Sequence, residues 1–230
     1  MQILADKNNT TCNVVDFYKN PDKYICAVRM VELTKYFSKI ESSFNLHNYW
    51  KIFYLIGKYC DVSSICELGI LNGYSLLAMG MGTQDRKDKK NIHIYGYDLF
   101  DDYPYKSSSR MDVELLIQKA ALTNVELFQK SVMDTNYNVT IPKTADIYIV
   151  DLSNCGDVVA STLLQINWKK TKMVVFEGGS KSRDNVDWME KFKRKHMNPI
   201  FNHIKESFNV VIFDDYPSLT IVTKKLMLES

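Results

Sequence analysis

Four carboxylates stand in or directly after short apolar runs: Glu67 in Ile65-Cys66-Glu67-Leu68-Gly69, Asp98 after residues 92–97, Asp151 after 145–150, and Glu177 after 173–176. Such short runs read as parallel strands, and the continuous one at 145–150 as a strand buried on both faces of the sheet. In open α/β sheets the carboxyl ends of such strands border the ligand crevice. Carboxylates placed there can hold an ammonium, accept sugar hydroxyls, take up a proton or ligate a hard cation. Each taken singly is explained about equally well as a helix cap.

The first of these runs carries the most information. Gly69 and Gly73 follow Glu67, and Ser75 opens a helical segment. Glycines at such a turn admit positive φ and let a ligand approach the main chain. Glu67 favours a cationic amine, and N–H groups at the next helix start accept a carboxylate. Asp98, at the end of the next strand, is placed to take two ribose hydroxyls. An amino acid joined to a ribose describes S-adenosylmethionine. A dinucleotide would call for G-x-G-x-x-G, which is absent, and Glu67 would repel its pyrophosphate.

The elements that must position these groups follow from periodicity. Residues 1–20 are polar and read as irregular. Pro21 opens a helical region with segments near 24–41 and 44–60. In the second of these, Leu46, Trp50, Phe53, Gly57 and Cys60 form one buried face, and Tyr49, Trp50, Phe53 and Tyr54 read as core packing in preference to pocket lining. Strands are expected at 64–68, 92–97, 125–130, 145–150, 173–176, 209–213 and 218–223, with helices near 75–81, 110–122, 158–166, 185–193 and after Pro199. Residues 83–91 read as a charged, solvated loop, and Ser107 to Ser109 can cap the helix at 110. The last two strands are close in sequence and should pair antiparallel. The fold class is therefore α/β: a Rossmann-like, doubly wound, seven-stranded, mostly parallel sheet with a C-terminal antiparallel β-hairpin and an N-terminal helical extension. Residues 1–60 form the arm and extension on the substrate side, and 61–230 the main domain.

These stretches resemble the class I S-adenosylmethionine-dependent methyltransferases. Cys66-Glu67-Leu68-Gly69 through Gly73-Tyr74-Ser75 is similar to the family's first motif. Tyr97-Asp98-Leu99-Phe100 with Asp101-Asp102-Tyr103-Pro104 resembles the second-strand segment of the macrocin O-methyltransferase and cephalosporin-hydroxylase-like branch. Asn124-Val125-Glu126-Leu127, Ala145-Asp146-Ile147-Tyr148-Ile149-Val150-Asp151 and Phe176-Glu177-Gly178-Gly179-Ser180 match later strands, the last joined by Arg183-Asp184 and Asp187-Trp188-Met189. The resemblance implies that Glu67, Gly69, Gly73 and Ser75 hold the methionine end of S-adenosylmethionine. Asp98 would bind the ribose, Leu99 would pack near the adenine, and Ser131 and Val132 would border it. Asp151 would face the transferring methyl as general base or metal ligand, with Glu177 beside it as the second catalytic acid. Relatives often carry an acid where Val132 stands; here the backbone or Asp134 must serve. Asp151 and Glu177 are a thin set for Mg²⁺ unless substrate and water complete its shell.

Composition bounds the partners. The 230 residues are 46% hydrophobic and 24% charged with a formal net charge of +2, which gives no global field toward nucleic acid or an anionic membrane. Five scattered cysteines with no CxxC pair point to reduced thiols and a cytoplasmic location, and no stretch is long and apolar enough to span a bilayer. The basic stretches Trp168-Lys169-Lys170 and Lys191-Phe192-Lys193-Arg194-Lys195 read as solvated helix ends. His47, His93, His196 and His203 read as surface or packing residues. The expected activity is O-methylation of a small hydroxylated molecule such as a sugar or secondary metabolite. RNA or protein methylation and a non-catalytic binding module with this fold are the alternatives, and oligomeric state stays open, a homo-oligomer included.

Overall fold

The computed structural model describes residues 14–104, 108–215 and 217–225. The expected irregular arm over 1–13, the middle of the 100–109 loop including Ser107, and Tyr216 lie outside the described residues. The strands are β1 (Ser64–Leu68), β2 (His93–Asp98), β3 (Val125–Gln129), β4 (Ile147–Val150), β5 (Met173–Glu177), β6 (Phe208–Phe213) and β7 (Leu219–Lys224). They form a seven-stranded sheet in the order β3-β2-β1-β4-β5-β7-β6. The pairs β1–β4, β2–β3 and β4–β5 are parallel. β7 runs antiparallel to both β5 and β6, which closes the sheet with the expected hairpin. The fold is thus the Rossmann-like α/β sheet that the alternation of strands and helices predicts.

The chain forms two compact units: residues up to Ser64 together with Ile70–Lys130, and Ile65–Gly69 together with residues from Ser131 onward. In the first unit, α1 (Val14–Lys19), α2 (Ala27–Phe37), α3 (Trp50–Tyr59), α4 (Tyr74–Gln84) and α5 (Arg110–Lys119) accompany β2 and β3. Every residue of α4 from Tyr74 to Thr83 is buried, the signature of a helix apolar all round and lodged in a core. It lies hard against α3: a Cβ on Gly82 would fall 2.0 Å from the Tyr54 carbonyl oxygen, and one on Gly57 2.2 Å from that of Met79. Tyr49, Trp50, Phe53 and Tyr54 are wholly buried, as core packing requires.

Four local expectations change. Residues 14–19 are helical and not irregular. The helix expected at 44–60 is split, because Asn48 takes the left-handed conformation (φ 53°) between a 3-10 turn at Ser43–His47 and α3, and Leu46 is left 68% exposed. The 83–91 segment is also more than a solvated loop. Arg86 is buried, donates from Nη1 to the carbonyls of Gly57 and Cys60, and closes the carboxyl end of α3 with Asp88 as counter-charge. Cys60 itself is disulfide-bonded, which corrects the expectation of reduced thiols there; Cys26, Cys66 and Cys155 are free.

The second unit holds β1, β4 to β7, and the helices α6 (Gly156–Gln165), α7 (Lys181–Asp184), α8 (Asp187–Lys191) and α9 (Asn198–Ile204). The single helix expected near 185–193 is two short ones, since Ser180 starts α7 early by accepting the Arg183 amide on its hydroxyl (3.1 Å), and Val186 returns to extended backbone before α8.

Candidate cofactor site

In the first unit the glycine turn is built around a carboxylate. Gly73 N donates to Ile70 O (2.9 Å), and Leu71 (φ 50°) and Gly73 (φ 79°) take left-handed conformations. Asp98, at the end of β2, holds this turn: its Oδ2 accepts from the amides of Ile70 (2.6 Å) and Leu71 (2.9 Å). Its Oδ1 accepts from the amide of Phe100 (2.6 Å), a residue itself at φ 47°. Two of the N–H groups that a ligand carboxylate could have used are therefore engaged by Asp98. With about two acceptor positions on each carboxylate oxygen, Oδ2 is filled and Oδ1 keeps one.

Gly73 is the N-cap of α4 and supplies no side-chain cap. The first-turn amides of that helix stand at the positive end of its dipole, and Ser75 is buried in that turn. Leu99 starts a 3-10 turn over Phe100–Asp102, half-buried beside Asp98. This set suits the carboxylate end of an amino acid and one hydroxyl of a sugar.

In the second unit Glu67 is fully buried inside β1 and not in the turn after it. Gly69 (φ 86°) is demanded by the strand ends themselves. A Cβ there would fall 1.9 Å from the Asp151 carbonyl oxygen, and the Asp151 amide donates to Leu68 O (2.8 Å), extending the β1–β4 ladder to the rim. Asp151 is half-buried at that rim, where a carboxylate can exchange a proton with a ligand. Ser131 turns its hydroxyl onto Met133 O (2.6 Å), and Val132 is buried with its carbonyl accepting from Thr140 N (2.8 Å). Asp134 accepts from the amides of Asn136 and Asn138 and from the Asn138 side chain, bonds that hold its carboxyl below the usual range and tie it to its own loop.

Glu177 is committed elsewhere. After β5, Gly178 (φ 96°) and Gly179 (φ 104°) turn the chain back, and Ser180 caps α7 so that Arg183 returns over the strand end. Arg183 donates from Nε to Glu177 Oε1 (3.0 Å) and from Nη2 to Oε2 (3.3 Å), with both side chains 7% exposed. The guanidinium lies 4.8 Å from the Trp188 ring centroid. Burial pushes the Glu177 carboxyl above its ordinary value, and Arg183 pulls it part of the way back. The sequence signal for this pair is an arginine six residues after a strand-end glutamate, across two glycines and a capping serine. Among the described residues no three His, Cys, Asp or Glu side chains group as a metal would require, so a Mg²⁺ ion at Asp151 and Glu177 has no ligand set behind it. His93, His196 and His203 are exposed, and His47 packs 5.4 Å from the Tyr49 ring. No described helix is long and apolar enough to cross a membrane.

No protein-family model and no curated protein matches the chain. Solved structures do. The SAH-bound methyltransferase PaMTH1 of Podospora anserina is 14% identical, with 92% of this chain and 87% of that chain covered at a TM-score of 0.57. The O-methyltransferase TomG of Streptomyces achromogenes, involved in tomaymycin synthesis and solved in complex with SAM, is 12% identical over 96% and 92% of the two chains at 0.54. Cofactor-bound Rv0187 from MTB is 12% identical over 92% and 97% at 0.56. At these identities the likeness is one of fold: the chain folds as the structurally characterised methyltransferases do.

Proposed function

We propose that this protein is an S-adenosylmethionine-dependent O-methyltransferase acting on a small hydroxylated molecule. The observation that carries the reading is the Asp98-anchored turn from Ile70 to Gly73, which leads directly into the amino end of α4. In the first unit, Gly73, Ser75 and the α4 amides receive the methionine carboxylate, Asp98 Oδ1 takes a ribose hydroxyl, and Leu99 packs by the adenine. For the second, the resemblance supports the roles of Glu67 and Gly69 toward the methionine end of the cofactor and of Ser131 and Val132 toward its adenine. The cofactor, once bound, supplies an electrophilic methyl on a sulfonium. The chain's own part is to align the acceptor hydroxyl, an effect able to supply most of the acceleration, and to take its proton on the Asp151 carboxylate. Glu177 contributes by holding Arg183 in place at the end of β5. A cytoplasmic setting and a small-molecule acceptor belong to the same proposal.

Titration calorimetry tests it. S-adenosylmethionine should bind, and Asp98→Ala should weaken binding by about tenfold or more, because three amide bonds that order the turn are lost. Binding of a nicotinamide dinucleotide with none of S-adenosylmethionine would overturn the reading. Transfer of labelled methyl to hydroxylated acceptors tests catalysis, and Asp151→Asn should abolish that transfer while leaving cofactor binding.

A further inference from the structure

The segment after β5 lines a half-open pocket of about 410 Å³ whose wall includes Asp184, Met189, Glu190, Lys193, Arg194 and His196. Its charges are unevenly committed. Asp184 is buried, and its two oxygens accept from the amides of Met197 (2.9 Å) and Asn198 (2.8 Å), so it serves the start of α9. Glu190 is then the one lining carboxylate left to face Lys193, Arg194 and the His196 ring. The neighbouring Lys195 is turned away into an ion pair with Asp157 (2.6 Å).

Arg194 is held in a particular way. Its guanidinium carbon lies 4.2 Å from the Tyr137 ring centroid. Stacking engages the face of the guanidinium and leaves its fork of donors free. Nε is buried and has no hydrogen-bond partner among the described residues.

The backbone beneath this side chain is strained on both sides of the stack. Tyr137 sits at φ 64° and Lys193 at φ 51°. Lys193 occupies the left-handed position of a Schellman turn that ends α8: its amide donates to Glu190 O (3.0 Å), and that of Arg194 to Met189 O (2.8 Å). Glycine is the usual residue there. A lysine and a tyrosine, both in a conformation that glycine adopts freely, mark a place where side chains are kept at the expense of stability, as at ligand sites.

We propose that this pocket binds the oxyanion of a small molecule, a phosphate or a carboxylate. Arg194 grips it through its two terminal nitrogens, whose plane the stack on Tyr137 fixes, and Lys193 is the second cation. The inference stands independently of methyl transfer, since each group it uses lies outside the proposed cofactor site.

The test is calorimetry on the full chain without S-adenosylmethionine, at low and at high salt, with inorganic phosphate, glucose 6-phosphate and succinate as probes. At least one should bind. Tighter binding of glucose 6-phosphate than of phosphate means that the organic part fills the pocket, and equal binding means that the phosphate alone is the ligand. Arg194→Gln should weaken binding by about tenfold or more. Lys193→Gly should weaken it by about threefold while raising the melting temperature, because the charge goes and the strain is relieved. Glu190→Gln should tighten binding by about twofold to threefold as the opposing charge disappears. The opposite signs of the last two keep the test decisive even if Arg194→Gln fails to fold. Absence of binding by all three probes, unchanged affinity in Lys193→Gly and Glu190→Gln, or loss in high salt to the same degree in every variant would overturn the proposal; the last result would mean diffuse attraction only.

Discussion

The pair Glu177–Arg183 is a buried two-point ion pair, and its energetics can be worked out. Each Glu177 oxygen accepts one Arg183 N–H, at 3.0 and 3.3 Å, with both side chains 7% exposed. Hydrogen bonds to charged groups are worth about 1.5–3 kcal/mol each. Removing one partner leaves the other charge buried, and the two ways of counting agree on about 3–5 kcal/mol for Glu177→Gln or for Arg183→Met. Arg183→Met also gives up the cation–π contact with Trp188, about 0.5–1 kcal/mol at a half-exposed ring. The double variant Glu177→Leu with Arg183→Met has no stranded charge. It should fall within about 1–2 kcal/mol of the native chain, because burial pushes the Glu177 carboxyl up despite its arginine, so the pairing does not fully offset desolvation. Urea unfolding of the native chain, both single variants and the double variant measures the coupling. A double variant that loses the sum of the two single effects would refute the ion-pair account. So would a Glu177→Gln chain of native stability that had lost methyl transfer alone.

Three further outcomes follow from the geometry. The raised Glu177 carboxyl makes the folded state hold a proton that the unfolded chain has released; this contribution to stability is complete below the ordinary glutamate value of 4.5 and is lost as pH rises through the raised one. The Glu177→Gln chain should lack that slope in melting temperature against pH. Gly69→Ala should cost about 3 kcal/mol or more, since its Cβ would meet the Asp151 carbonyl oxygen at 1.9 Å and its backbone sits at φ 86°; a soluble chain with native melting temperature would contradict the packing described. Ser109→Ala should cost about 1 kcal/mol. It breaks a capping box in which the Ser109 hydroxyl accepts from Asp112 N (3.2 Å) and the Asp112 carboxylate accepts from Ser109 N (2.8 Å).

What could be read from the sequence, and what could not, divides along one physical line. Strand positions were legible because burial on both faces forces runs such as Ile147–Val150 and Met173–Phe176 to be continuously apolar. The closing hairpin was legible because a short connection leaves antiparallel pairing as the available geometry. The Ser109 cap was legible because capping is local. The split at Asn48 was hidden, since one residue in a left-handed conformation can interrupt an otherwise helical pattern.

The strand-end carboxylates were found, but their partners were not, because a partner depends on how the chain returns. Asp98 reads as a free ribose ligand until the turn is seen to place the amides of Ile70 and Leu71 on its Oδ2. Glu177 reads as an unpaired strand-end acid until two glycines at positive φ bring Arg183 back over it. The same return carries the chain into α8 and the Lys193 turn, where a run that reads as a solvated basic helix end becomes a strained Schellman turn with Arg194 on the Tyr137 ring. In each case the sequence shows the charge, and the backbone at positive φ decides what that charge meets. Non-glycine residues in that conformation are therefore the positions at which substitution to glycine separates local strain from function: Leu71→Gly should leave the Asp98-held turn intact, whereas Asp98→Ala should release it, and amide hydrogen exchange at Ile70 and Leu71 distinguishes the two. Rapid exchange at both amides in Leu71→Gly, equal to that in Asp98→Ala, would show that the turn is held by the leucine and not by the carboxylate.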